Sequence, residues 1–249
     1  MNKTLIALAV SLGVAACGGS SSPVAPLADA TVGGIWYGFN FNAQLGDSRE
    51  LVGIGTEDGR FRFVESTSRS QFAGISSSVG NALSATGTAL ASPGGTWGDD
   101  STATSLDMEG EVLDKESIEA TWSLGSGETG NLGLLYSRLY EQDSSLDLPA
   151  GVWSSTDDAG LEIGTFTIDS AGLVTGQDVD GCQYAGNVSI IDPDYNVYDF
   201  NVVVSNCGAL DGSFIGLSIM STDVVANDCM SVAADDGTRS LTLALARLP

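Results

Sequence analysis

The chain repeats itself, and the repeat limits the folds open to it. Gly34-Ile35-Trp36 returns as Gly151-Val152-Trp153, and Gln71-Phe72-Ala73-Gly74 as Gln183-Tyr184-Ala185-Gly186. Leu134-Leu135-Tyr136-Ser137-Arg138-Leu139 returns as Leu243-Ala244-Leu245-Ala246-Arg247-Leu248. The three pairs keep their order while the offset between copies shortens, as two diverged modules with a few deletions would show. Whatever fold is adopted must therefore fit twice into a small domain, over residues 32–143 and again over 149–249, meeting near Ser144 to Pro149.

Within each copy the apolar residues alternate with polar ones, and turn signals interrupt them. Thirty-two glycines against six prolines, with no histidine and no long run at helical spacing, point to a β-rich body. Asp58-Gly59, Asp180-Gly181, Asp211-Gly212 and Asp236-Gly237 are hairpin signals, because such pairs accept the positive φ that a tight turn needs. Eight strands are expected in the second copy, over 151–155, 162–168, 173–177, 182–190, 197–205, 213–221, 229–233 and 239–248. The first copy divides likewise over 35–42, 49–56, 60–65, 71–76, 82–90, 103–112, 117–124 and 131–140. Eight sequential antiparallel strands can close on themselves and leave no open edge, so the expected fold is all-β: two tandem eight-stranded up-and-down barrels.

A Gly-x-Trp on the first strand and an Arg near the end of the last resemble the pair that closes the floor of lipocalins and other calycin barrels. That resemblance implies that Arg138 lies across Trp36 and Arg247 across Trp153. Strands this short leave a lumen that side chains nearly fill, so no large lipid cavity is implied.

The N-terminus carries Lys3, an apolar run from Leu5 to Val14, and then Val14-Ala15-Ala16-Cys17. The run has the parts of a secretory signal and is too short to span a bilayer as a helix. The motif resembles the lipobox of bacterial lipoproteins. That implies a signal peptide over 1–16, a diacylglycerol on Cys17 as the first mature residue, and a membrane attachment through that lipid. Residues 17–31, rich in glycine and serine, read as a flexible tether. In that family an Asp directly after the cysteine favours the inner membrane; Gly18 stands there, which implies the outer membrane.

Three further cysteines lie in the second module. Cys182 and Cys207 flank the turn Ile191 to Asn196 nearly symmetrically, which places both at the open end of one hairpin and predicts a disulfide. Cys229 is left as a buried thiol or a competing partner for either of the others. Thiolate ligation of a metal would need histidine or a second closely spaced cysteine pair, and neither is present.

The formal charge is −23, and the leader holds only Lys3 of the nine basic residues, so the mature body is very acidic. Such a body repels nucleic acid and anionic headgroups; basic proteins and divalent cations remain as partners. Acid-rich turns at Gly98-Asp99-Asp100, Asp157-Asp158, Asp178 to Gly181 and Asp192-Pro193-Asp194 offer oxygen ligands for calcium, but none completes a calcium loop. Without histidine the usual nucleophile-base pairs are excluded, and no phosphate loop is present, so no enzyme and no cofactor is expected. Two functions follow: a non-enzymatic binding or scaffold lipoprotein for an envelope component or small ligand, or a periplasmic inhibitor of a basic lysozyme or a secreted protease. The second resembles small β-barrel inhibitors in architecture and charge alone. Asp194, Tyr195 and Tyr198 are a candidate contact surface in the second module.

Overall fold

The computed structural model describes residues 29–156, 162–221 and 227–249. Cys17, the leader and the turn Asp157-Asp158 lie outside the described residues. The described residues are 62% strand and 3% helix, folded as two closed antiparallel eight-stranded barrels in tandem.

The first barrel comprises β1 (Gly34–Asn42), β2 (Asp47–Gly55), β3 (Arg60–Glu65), β4 (Gln71–Val79), β5 (Ala82–Leu90), β6 (Ala103–Leu113), β7 (Ser117–Leu124) and β8 (Thr129–Ser137). Each strand pairs with the next, and β8 pairs with β1 to close the ring. The second comprises β9 (Gly151–Thr156), β10 (Glu162–Ile168), β11 (Leu173–Asp178), β12 (Gln183–Ile190), β13 (Tyr198–Ser205), β14 (Gly212–Ser221), β15 (Cys229–Asp235) and β16 (Ser240–Arg247). It closes through β16 on β9, over the short ladder Leu245↔Ser155, Ala246↔Ser154 and Arg247↔Trp153.

Alternation builds the core. Along β7, Ile118, Ala120, Trp122 and Leu124 point inward while Glu119, Thr121 and Ser123 face out. Aromatic rings meet in both lumens: Phe72 stands 5.3 Å from Trp122 in the first, and Phe166 5.0 Å from Tyr184 in the second. One carboxylate is also enclosed in the first barrel. Glu65 accepts from Asn40 Nδ2 at 2.7 Å and Ser70 Oγ at 2.7 Å, pairs with Arg49 at 3.1 Å, and Asn40 Oδ1 accepts from Trp122 Nε1 at 2.7 Å. Burial pushes the Glu65 carboxyl up, but hydrogen bonds from Ser68, Ser70, Asn40 and Arg49 outweigh it and hold the group below its usual range.

Glycine serves two purposes here. Gly59, Gly181 and Gly237 take φ of 87°, 88° and 84° at hairpin turns, each behind an Asp that itself keeps a negative φ. Gly212 does not follow them: it opens β14 after a 3-10 turn over Gly208–Leu210. Other glycines sit inside strands. Gly74 and Gly87 are registered against each other, and a Cβ on either would collide with a carbonyl oxygen, of Thr86 or Ala73, across the ladder. Gly186 and Gly216 do the same in the second barrel, so these positions let tightly coiled strands approach.

The barrels meet through their outer walls. Ile35 and Ile54, outward on β1 and β2, are buried against Val197, Leu217, Ile219 and Ala233. Ion pairs flank the seam: Arg60 with Asp199 at 2.6 Å and Arg62 with Asp235 at 3.0 Å. A 3-10 turn, Arg138–Glu141, follows β8, and its Tyr140 stacks on Tyr195 at 4.6 Å. The connecting segment is pinned as well. Ser144 N–H donates to the Pro193 carbonyl at 2.8 Å, and Leu146 and Leu148 pack on the second core. The residues expected at the end of the tether are docked too: Ala30 is buried, its N–H donates to the Gly80 carbonyl at 2.9 Å, and Asp29 accepts from Gly80 N–H at 2.8 Å. The packed body thus begins by Asp29, because apolar Ala30 and Val32 find cover on the first barrel.

Candidate functional site

The two copies close their floors in one way and then diverge. Trp36 Nε1 donates to the Val32 carbonyl at 2.9 Å, and Trp153 Nε1 to the Pro149 carbonyl at 2.8 Å, four residues back in each case. In the second barrel Arg247 lies 4.3 Å above the Trp153 ring, and its Nη1 donates to the Ala150 carbonyl at 2.6 Å. In the first barrel the expected partner is absent from that place. Trp36 is registered opposite Tyr136, whose ring meets it edge-on at 5.3 Å. Arg138 falls past the end of β8, exposed at the start of the 3-10 turn. The repeat aligns Arg138 with Arg247, but closure of the first ring is two residues out of step, so an aromatic takes the guanidinium's place. Burial pushes the Tyr136 phenol up to about 12.

Cys182 and Cys207 form a disulfide with Cα atoms 4.6 Å apart, just outside the paired residues Gln183 and Ser205. The bond stabilises by about 3 kcal/mol through loop closure in the unfolded chain. Asp178 lies near both sulfurs, but these are bonded to each other and hold no lone thiolate for a metal. Cys229 is half-buried on β15 and outside that bond. The carboxylates expected to offer oxygen to calcium serve their own turns. Asp99 accepts from Ser101 N–H at 3.0 Å, Asp178 from Asp180 N–H at 3.0 Å, and Asp192 from Asp194 N–H at 3.0 Å. The contact surface expected around Tyr195 and Tyr198 is a correction: Tyr198 is fully buried in the second core, and Tyr195 is spent on the seam between barrels.

Among the described residues, the outer wall of the first barrel carries a row of exposed aromatics. Tyr37, Phe39 and Phe41 point outward along β1 at 43%, 56% and 37% exposure, with Leu135 beside Tyr37 at 68%. Val52 stands on the other side of Tyr37. This row continues outward from Ile35, which the second barrel covers. The ladder then places acids on the same wall. One rung runs Glu111, Glu119, Gly133, Phe39, Glu50, and the next Glu109, Thr121, Asn131, Phe41, Ser48. Strands β5 to β8 carry no Lys or Arg, and Lys115 at the β6–β7 turn is taken by Glu141 at 3.0 Å. At Gly133 the wall has no side chain, and a Cβ there would meet nothing. That gap joins a furrow over Glu109, Glu119 and Asn131 to the hollow beside Tyr37, Phe39 and Val52. Composition alone shows these aromatics only as strand formers; the outward parity of β1 was the missing signal.

No family profile matches the chain, and no curated protein matches it. A solved structure from Bacteroides fragilis described as a "putative outer membrane protein" is similar over 87% of this chain and 98% of that one, at 11% identity and a TM-score of 0.28. At that score the likeness carries neither fold nor function across.

Proposed function

We propose that the protein is a non-enzymatic binding or scaffold lipoprotein, anchored through Cys17 at the outer membrane and working by its outer surface. The observation that carries this reading is the pairing of side-chain-filled lumens with an uncovered apolar wall on the first barrel. A wall of exposed aromatics is costly to leave in water unless something docks there. The motif Val14-Ala15-Ala16-Cys17 supports the anchor. Arg247 over Trp153 supports the calycin-like plan for the second module, while Tyr136 opposite Trp36 argues against carrying it to the first. Labelling cells with an alkynyl fatty acid tests the anchor. The chain should take up label and fractionate with the outer membrane, and Cys17→Ala should abolish both; an unacylated wild-type N-terminus by mass spectrometry overturns it.

Inhibition of a basic lysozyme or a secreted protease is a second reading, favoured by the row of carboxylates on β6 and β7, since opposite charge speeds encounter. Absence of inhibition of both enzyme classes at micromolar protein and low salt removes it.

A further inference from the structure

We propose that the wall formed by β8, β1 and β2 docks a basic protein segment that presents apolar side chains in alternation with Lys or Arg. This rests on the binding role above and names the partner's chemistry.

The molecule already shows how this wall is used. Where the second barrel covers it, the first barrel offers apolar Ile35 and Ile54 beside Arg60 and Arg62. The cover answers with Leu217, Ile219 and Ala233 beside Asp199 and Asp235. The uncovered continuation keeps the apolar half, as Tyr37, Phe39, Phe41, Val52 and Leu135, and reverses the charge, as Glu50, Glu109, Glu111 and Glu119. Its complement is therefore apolar and basic. A second copy of so acidic a chain would bring carboxylates against carboxylates, and an anionic bilayer would be repelled in the same way.

The outward residues of β1 recur every second position, about 7 Å apart, which matches the side-chain spacing on one face of an extended segment. In an alternating extended segment the Lys or Arg side chains face away from β1, so the acids of β7 and β6, two and three strands from Phe39 and about 10 to 15 Å off, act on them through their field across the gap at Gly133 rather than by direct contact. Aromatic anchors supply the contact energy, and the acids supply orientation and encounter rate.

The test uses the full chain carrying Cys17→Ser, so that acylation does not enter the measurement. A fluorescent dodecapeptide alternating Lys and Leu is titrated by anisotropy, with a Lys–Ser peptide as control. The Lys–Leu peptide should bind, and added salt should weaken it. The double variant Tyr37→Ser with Phe39→Ser should weaken binding at least about tenfold. Glu109→Gln, Glu111→Gln and Glu119→Gln together should flatten the salt dependence, and Gly133→Gln should block the furrow. All these positions are exposed, so circular dichroism should show every variant folded. Equal binding of the Lys–Ser peptide, or variants that bind like the parent, would overturn the proposal, since the attraction would then be diffuse charge. Self-association lost in the aromatic variant, or binding instead to vesicles of phosphatidylethanolamine and phosphatidylglycerol, would replace the partner named here with a second copy or a membrane. None of these outcomes touches the acylation result, so the two readings fail separately.

Discussion

Single residues decide how each ring is locked. Arg247 stacks on Trp153 and satisfies the Ala150 and Leu148 carbonyls, so Arg247→Ala should cost the second barrel about 2 kcal/mol in denaturant unfolding. Arg138→Ala, on an exposed turn, should stay within about 0.5 kcal/mol. Equal losses would mean that the two arginines share one role. Glu65 makes a second residue-scale prediction. Its folded pKa is depressed, so its stabilisation is full above the unfolded value of about 4.3 and is lost as pH falls through the folded value. Denaturant midpoints taken from neutral to acid pH should therefore fall less steeply for Glu65→Gln than for the parent. Neither detail was open to sequence reasoning. The repeat placed Arg138 and Arg247 at matching positions, while the two-residue difference in closure depends on how β8 meets β1 in space.

Strands and turns were largely legible, because a half-buried strand writes its two faces into alternate residues. The eight segments expected in each copy correspond to β1–β8 and β9–β16, with ends shifted by a few residues. The last strand of the first copy stops at Ser137, because its Oγ caps Leu139 N–H and turns the chain into a 3-10 helix. The disulfide was equally legible, since hairpin symmetry about residues 191–196 set both cysteines at one end. Glycine was legible in part: Gly212, expected in a hairpin turn, opens β14 instead. Turn chemistry accounts for Gly59, Gly181 and Gly237, whereas Gly74 and Gly87 answer to close approach of β4 and β5. Gly87→Val should therefore destabilise the first barrel by several kcal/mol, about 3 or more, because backbone must move to admit the side chain. Gly133→Ala, which meets open space, should be nearly neutral. Thermal melts of the two variants check the contrast.

At the scale of the molecule, the seam turns two repeats into one packed body. Arg62 and Asp235 are largely buried there, and burial lowers the Arg62 pKa more than its partner raises it. Arg62→Ala would leave a carboxylate buried without its cation, at a cost of about 3 kcal/mol, and calorimetry should resolve one unfolding transition into two. A single unshifted transition would show that the seam holds without this ion pair.

By itself the sequence determined the duplication, the strands, the acidity and the cysteine bridge, because each is written locally: in alternation, in turn residues, in spacing along one hairpin. Only the tertiary structure decided which outward-facing residues are covered. Ile35 and Phe39 lie on the same strand with the same parity, yet one is buried in the seam and the other stands open. Local pattern separates inside from outside within a barrel. It carries no information about where a second barrel, packed against that outside, ends.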